Sequence, residues 1–129
     1  MNGLHLIADL HDCRCPAQRL LDVSWLESYC VDACQQHGLT VVGQLFHPFT
    51  DAQGAAAGVT GTVVLAESHL AIHTWPEVSG VTLDVYVCNF SGDNSCRAQA
   101  LFDEMIATFD PTRLEKQAVA RGQLQPTAR

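Results

Sequence analysis

The stretch LAESHLAIHTWPE, residues 65–77, decides the fold that this sequence predicts. Two apolar runs flank a polar break at residues 67–69. Beyond the break the side chains form two alternating sets, which are Leu70, Ile72 and Thr74 and then Ala71, His73 and Trp75. A period of two residues is typical of a strand, so Ser68 begins a strand rather than a helix.

Similar patterns along the chain predict further strands and helices. The predicted strands are Leu4–Leu10, Leu39–Phe46, Thr60–Ala66, Leu70–Trp75, Val81–Cys88 and an edge strand near Leu114–Ala120. The predicted helices are a short turn at Ala17–Asp22 and two longer helices at Val23–His37 and Cys96–Phe109. Ser24 is the expected cap of the first long helix and Gly38 its end, and Asn94 or Ser95 is expected to cap the second. Thr50–Gly58 is small and polar, which predicts a flexible loop.

This order of elements predicts an α/β fold, in the form of a two-layer α/β sandwich. A mostly antiparallel sheet is expected to carry its helices on one face. At 129 residues, the chain is expected to form a single domain over residues 1–129. Apolar residues make up 47% of the chain and charged residues 16%, which fits a globular protein with an extensive core.

Charge and hydropathy exclude some classes of partner. The net charge of -7 argues against a nucleic-acid surface, and the basic residues form no dense run. No segment is apolar for long enough to span a bilayer, so no membrane association is expected. The first residues lack a basic region followed by an apolar core, so we expect no signal peptide and a cytoplasmic location.

The polar break carries candidate catalytic residues. Ser68 is a possible hydroxyl nucleophile, and it needs a base nearby. His73 follows it by five residues, and Cys88 by twenty, near the end of the next predicted strand. Side chains on neighbouring strands can converge on one pocket. From spacing alone, Ser68 could equally be the half-buried start of a strand, and Cys88 a buried strand cysteine. No G-x-S-x-G hydrolase motif is present.

Six cysteines suggest a different class of function. Their positions are Cys13, Cys15, Cys30, Cys34, Cys88 and Cys96. With His11 and His37, the first four supply enough thiols and imidazoles for a zinc site, although no C-x2-C pair is present. Cys30 and Cys34 are four residues apart on a predicted helix, which equally fits small, buried apolar residues. Both interpretations stay open at this level.

The central motif resembles one protein family. Glu-Ser-His-Leu-x-Ile-His-Thr-Trp-Pro-Glu at 67–77, followed by Asp84-x3-Cys88, is similar to the small prokaryotic S-adenosylmethionine decarboxylase proenzymes. The likeness extends upstream to GVTG at 58–61, FHPF at 46–49 and GLHLIAD at 3–9. It covers roughly residues 3–110. The resemblance implies the same sandwich fold and a homodimer of cleaved protomers.

The resemblance also implies a cofactor made from the chain itself. In that family the chain cuts itself between the glutamate and the serine, here Glu67 and Ser68. The serine hydroxyl attacks the preceding carbonyl and turns the amide into an ester. Loss of the α proton expels the acyl group and leaves dehydroalanine, which hydrolyses to a pyruvoyl group. The products would be a β chain, 1–67, and an α chain, 68–129, which carries the pyruvoyl group as a carbonyl electron sink for Schiff-base chemistry.

Roles for individual residues follow from the same resemblance. His73 corresponds to the processing base, and Cys88 to the acid that protonates the product carbanion. Thr60 takes the place of a serine that assists processing, so it keeps the hydroxyl and adds a methyl group. Phe49 and Glu77 match the positions that hold the adenine and the ribose of S-adenosylmethionine, and an aromatic ring suits both an adenine face and a sulfonium cation. The product would be the aminopropyl donor for spermidine synthesis.

Three alternatives accompany this interpretation. A pyruvoyl-dependent decarboxylase of ornithine or arginine keeps the chemistry, and residues 89–94 depart from the glycine-containing turn of the family. A non-enzymatic, thiol-rich metal-binding module would leave the chain uncut. An inactive homologue would stall in processing because of Thr60.

Overall fold

Six antiparallel strands form a single sheet in a computed structural model that describes residues 2–90 and 92–124. The strands are β1 (Gly3–Cys13), β2 (Val41–Thr50), β3 (Ala56–Leu65), β4 (Ser68–Trp75), β5 (Gly80–Cys88) and β6 (Pro111–Arg121). The helices are α1 (Gln18–Leu21), α2 (Val23–Gln36) and α3 (Ser95–Phe109). In the sheet the strands lie in the order β2-β3-β4-β5-β1-β6. The predicted fold class, a two-layer α/β sandwich with an antiparallel sheet, is confirmed.

The alternation in β4 decides which face of the sheet is buried. Leu70 and Ile72 are completely buried and Thr74 is 5% exposed, because these side chains point into the core beneath the helices. The residues between them lie on the opposite face, which we call the open face because no helix of the described chain packs on it. Among the described residues, no helix is both long and apolar enough to cross a bilayer.

Thr74 is a buried polar residue that joins three elements. Its hydroxyl donates to the carbonyl oxygen of Leu20 at 2.7 Å and accepts from the backbone N–H of Val59 at 2.8 Å. A buried hydroxyl without partners would be costly, so both contacts stabilise this position. They connect β4 to β3 and to the short helix α1.

The expected loop at Thr50–Gly58 is wrong in its extent. Strand β2 continues to Thr50 and β3 begins at Ala56, so only residues 51–55 form the connection. The Asp51 side chain accepts from the backbone N–H groups of Gln53 and Ala55 at 2.9 and 3.0 Å, which orders this turn. Pro48 does not interrupt β2, although proline lacks a backbone N–H. Because β2 is an edge strand, no neighbouring strand loses a hydrogen bond there.

The predicted cap of α2 is also wrong. Asp22, rather than Ser24, is the N-cap, and its side chain accepts from the backbone N–H of Trp25 at 3.1 Å. The helix ends before Gly38 as expected, since that glycine has φ of +80°.

Candidate active site

The expected cleavage site lies in a two-residue turn between β3 and β4. Leu65 and Ser68 are the last paired residues of the hairpin, so Ala66 and Glu67 form the turn. Glu67 has φ of +71°, a left-handed conformation that disfavours residues with a side chain. The Ser68 hydroxyl donates to the carbonyl oxygen of Ala66 at 3.3 Å. The bond between Glu67 and Ser68 therefore follows a strained residue and precedes a hydroxyl held close to the turn backbone.

If this strain promotes cleavage, two substitutions at Glu67 should differ. Glu67→Ala and Glu67→Gly both remove the carboxylate, but only alanine keeps the penalty of the left-handed conformation, about 1–2 kcal/mol. We expect precursor carrying Glu67→Ala to be cut about tenfold faster than precursor carrying Glu67→Gly. The appearance of the fragments over time, followed by intact mass, measures both rates. Equal rates would show that backbone strain at this turn does not promote the reaction.

Cys88 lies at the same end of the sheet as the turn. His69 pairs with Tyr86 at the end of the β4–β5 ladder, and Cys88 lies two residues beyond Tyr86, toward the end of the sheet where the turn lies. Cys88 is 7% exposed, and its carbonyl oxygen accepts from the Asn94 side chain at 3.3 Å. Glu67, Ser68 and Cys88 lie at this same end of the sheet, and we call them the turn cluster.

The other predicted site residues surround a cavity of about 240 Å³. It is lined by Phe49 from β2, Thr60 from β3, His73 from β4 and Glu77 from the turn after β4, together with Ala57, Gly58, Thr74 and Trp75. Phe49 and Trp75 are about half exposed, so both rings are accessible to a ligand. We call Phe49, Thr60, His73 and Glu77 the cavity cluster. Part of the segment after Phe49, namely Ala57 and Gly58, borders this cavity.

Thr60 and His73 are in direct contact within the cavity cluster. They are paired across β3 and β4, and the Thr60 hydroxyl lies 3.2 Å from Nδ1 of His73. The methyl group that distinguishes threonine from serine therefore does not keep the hydroxyl away from the imidazole. This contact is the geometry that an assisting hydroxyl needs, and it gives no support to the idea of a stalled homologue.

The turn cluster and the cavity cluster do not meet within one chain. Ser68 and His73 are five residues apart on the same strand, which separates their Cα atoms by roughly 16 Å at about 3.3 Å per residue. Proton transfer needs the base within about 3 Å of the proton that it takes, or one water away. The expected convergence of serine, histidine and cysteine on one pocket is therefore wrong for a single copy of the chain.

Two features of the site were given no role from the sequence. Trp75 lines the cavity, and its exposed aromatic ring at the end of a strand was the available signal. Asp84 contacts two histidines, His5 and His69, across three strands. That contact was not predictable because it depends on the order of strands in the sheet.

The thiols do not form the expected alternative metal site. Burial and the neighbouring Cys15 raise the pKa of Cys13 to about 11, and burial raises the pKa of Cys34 to about 12. Burial also holds the pKa of Cys30 well above its ordinary value. Burial therefore disfavours the thiolate form in which these side chains would bind a metal. The set of three ligating groups found in the described part of the chain contains no cysteine.

Comparisons with known proteins agree on one family. The sequence profile of S-adenosylmethionine decarboxylase matches residues 4–122. An S-adenosylmethionine decarboxylase proenzyme from Aquifex aeolicus is 37% identical over 120 residues, which are 93% of this chain and 81% of that protein. A proenzyme of the same name from Picrophilus torridus is 35% identical over 120 residues, 93% of this chain and 84% of that protein.

Coverage differs between relatives. The Pseudomonas aeruginosa proenzyme of the same name is 40% identical over 99 residues, which are 77% of this chain but 56% of that protein. The match thus spans little more than half the length of that relative. A crystal structure of the adenosylmethionine decarboxylase from Aquifex aeolicus superimposes with a TM-score of 0.81 at 32% identity, covering 98% of this chain and 96% of the other.

Proposed function

Because this chain belongs to the S-adenosylmethionine decarboxylase family, we propose that it decarboxylates S-adenosylmethionine after cutting itself between Glu67 and Ser68. The proposal rests on the turn between β3 and β4. There Glu67 has a strained, left-handed backbone, and the hydroxyl of the next residue, Ser68, donates to the carbonyl oxygen of Ala66. The product is the aminopropyl donor for spermidine synthesis.

The residues of the turn cluster fit a pyruvoyl group derived from Ser68. Such a group supplies a carbonyl that withdraws electrons from the substrate's α carbon. Ser68 supplies the hydroxyl that attacks the Glu67 carbonyl. Cys88, at the same end of the sheet, is the residue that we assign to return a proton after carbon dioxide has left.

The cavity cluster supplies the substrate pocket and the processing base. Phe49 offers a ring face for adenine, and Glu77 offers a carboxylate for the ribose hydroxyls. His73, in contact with Thr60, is the base for processing. A cavity of about 240 Å³ lies below the roughly 300–1,000 Å³ usual for ligand sites, so a further wall is needed.

A second copy of the chain supplies the missing half of each site. In a two-fold dimer the same patches meet twice, so the turn cluster of one copy faces the cavity cluster of the other and two complete sites form. The open face suits such a contact because it carries exposed apolar side chains: Leu45, Val64, Trp75 and Val119 are 41–76% exposed. We therefore propose a homodimer of cleaved protomers with sites shared between copies.

Complementation between two defective chains tests the shared site. Ser68→Ala lacks the nucleophile and His73→Ala lacks the base, so neither is cut when it is produced alone. When the two are co-expressed with different tags, the Ser68→Ala copy supplies His73 to the intact Ser68 of its partner. We expect the His73→Ala chain to appear as fragments 1–67 and 68–129, in a fraction set by the proportion of mixed dimers.

The control pairs each variant with itself under two tags, which should leave all chains intact. If His73→Ala stays uncut in proven mixed dimers, the shared site is wrong. Cleavage of His73→Ala produced alone would instead remove His73 from the processing role.

The lining of the cavity also bears on the choice of substrate. Phe49 and Glu77 line the same cavity, which favours a nucleoside over ornithine or arginine. A panel of the three substrates, measured as carbon dioxide released per cleaved chain, separates these possibilities.

The cytoplasm is the proposed location, because buried protonated thiols such as Cys30 suit a reducing compartment.

A further inference from the structure

Three polar side chains on the open face form a bridge across neighbouring strands. Nε2 of His69 on β4 lies 3.0 Å from Oδ2 of Asp84 on β5, and Nε2 of His5 on β1 lies 2.9 Å from the same oxygen. The side chains of His5, Asp84 and His69 are 17%, 26% and 34% exposed. Partial burial makes these hydrogen bonds stronger than equivalent contacts in open solvent. We call these three residues the His-Asp-His bridge.

Arg121 determines how His5 takes part in this bridge. A guanidinium nitrogen of Arg121 lies 3.2 Å from Nδ1 of His5. A guanidinium only donates, so Nδ1 accepts and the proton of a neutral His5 is on Nε2, directed at Asp84. The Asp84 carboxylate accepts from both histidines. The three ligating atoms lie within 4.8 Å of one another, but a metal would require an unprotonated Nε2 on His5. The arrangement is therefore a hydrogen-bonded bridge.

The bridge is attached to the residue next to the cleaved bond. His69 follows Ser68, so its backbone nitrogen carries the reacting group in the cleaved chain. Before cleavage the turn at Ala66 and Glu67 ties the start of β4 to β3. After cleavage that tie is lost, and a new chain end frays unless other contacts hold it. The remaining restraints on His69 are its strand pairings, the ring contacts with His5 and Tyr86, and the side-chain bridge.

We propose that the His-Asp-His bridge holds the new amino end of chain 68–129 in register, so that the reacting group stays aligned with the substrate after cleavage. This proposal rests on the proposed function. Asp84 and His5 are positioning residues in it, because they act through His69. A displacement of about 1 Å at a reacting group can cost roughly a hundredfold in rate, so loss of this restraint should reduce kcat.

Asp84→Asn tests the bridge with little change in side-chain volume. The amide oxygen can accept, but the amide group lacks the charge that strengthens both hydrogen bonds. We expect the variant to be cut, its kcat per cleaved chain to fall at least about tenfold, and its KM to stay within about twofold. Amide exchange at the start of β4 should be faster than in the cleaved wild-type enzyme. Asp32→Asn, an exposed carboxylate on α2, is the matched control and should change none of these.

Several outcomes would overturn the proposal. If Asp84→Asn has the same kcat and the same amide exchange rate as the control Asp32→Asn, the bridge does not restrain the start of β4. Binding of Co²⁺ by the wild-type protein that is lost in Asp84→Asn would identify a metal centre instead. If Asp84→Asn fails to fold, His5→Gln, which is farther from the cleaved bond, should show the same changes to a smaller degree, and unchanged values there also refute the bridge.

The test separates the bridge from the proposed function. A wild-type protein that is never cut refutes the function before the bridge is measured. If the wild-type protein is cut and active and Asp84→Asn is equally active, only the proposed bridge is refuted.

Discussion

Ser68→Ala leaves a folded, uncut chain with no decarboxylase activity. Alanine has no hydroxyl to attack the Glu67 carbonyl, so neither the ester nor the pyruvoyl group forms. Activity should fall by more than about a thousandfold, to the background of the assay, because removal of the nucleophile removes the whole reaction rather than one contribution to it. Intact mass and carbon dioxide release measure the two effects separately.

Ser24→Ala is the matched control for this prediction. Ser24 is exposed on α2 and its side chain does not cap that helix, so the substitution should leave cleavage and activity unchanged. The unfolding transition of Ser68→Ala should resemble that of an uncut wild-type precursor. A cleaved or active Ser68→Ala protein would refute the assignment of the cleavage site.

Cys88→Ala should separate cleavage from turnover. We expect this variant to be cut, because Ser68 and the cavity cluster are intact. Its turnover should fall by about a hundredfold to ten-thousandfold, the usual contribution of a general acid. The product formed in D₂O should also be a mixture of both configurations at its deuterated α carbon, because a positioned donor no longer controls which face is protonated.

The exposed Cys96, at the start of α3, provides the control thiol. Cys96→Ala should match the wild type in cleavage, rate and product. Normal turnover and a clean product in Cys88→Ala would remove Cys88 from the acid role, and an uncut Cys88→Ala would give it a part in processing.

Most of the fold could be predicted from periodicity because both layers have clear patterns. In β4, the alternation of Leu70, Ile72 and Thr74 with their neighbours indicated a strand with one buried face, and the structure confirms it. The helix predicted at Val23–His37 is α2 to within one residue. These patterns are reliable because burial acts on every second residue of a strand and on one stripe of a helix.

The errors fall where local rules compete with position in the sheet. The sequence predicted that the second strand ends at Phe46 and that small, polar residues form a loop over Thr50–Gly58. The strand continues because β2 lies at an edge, which only the strand order reveals. Asp22 caps α2 instead of Ser24 because the helix begins at Val23, two residues earlier than a cap at Ser24 would require.

The site could be predicted residue by residue but not as an assembly. Phe49, Thr60, His73 and Glu77 line one cavity, although they come from three strands and a turn. The distance from Ser68 to His73 could have been inferred from the sequence, since a strand cannot bring residues five apart together. The His-Asp-His bridge could not, because it depends on β1 and β4 both lying beside β5.

The intact mass of the purified wild-type protein under denaturing conditions tests self-cleavage most directly. We expect two fragments, 1–67 and 68–129, the second of them blocked to amino-terminal sequencing. Together their masses should exceed that of the uncut chain by one water less one ammonia, because serine becomes pyruvoyl. A single chain of full mass, or two fragments that gain one whole water and carry a free amino-terminal serine, would contradict the proposed pyruvoyl enzyme.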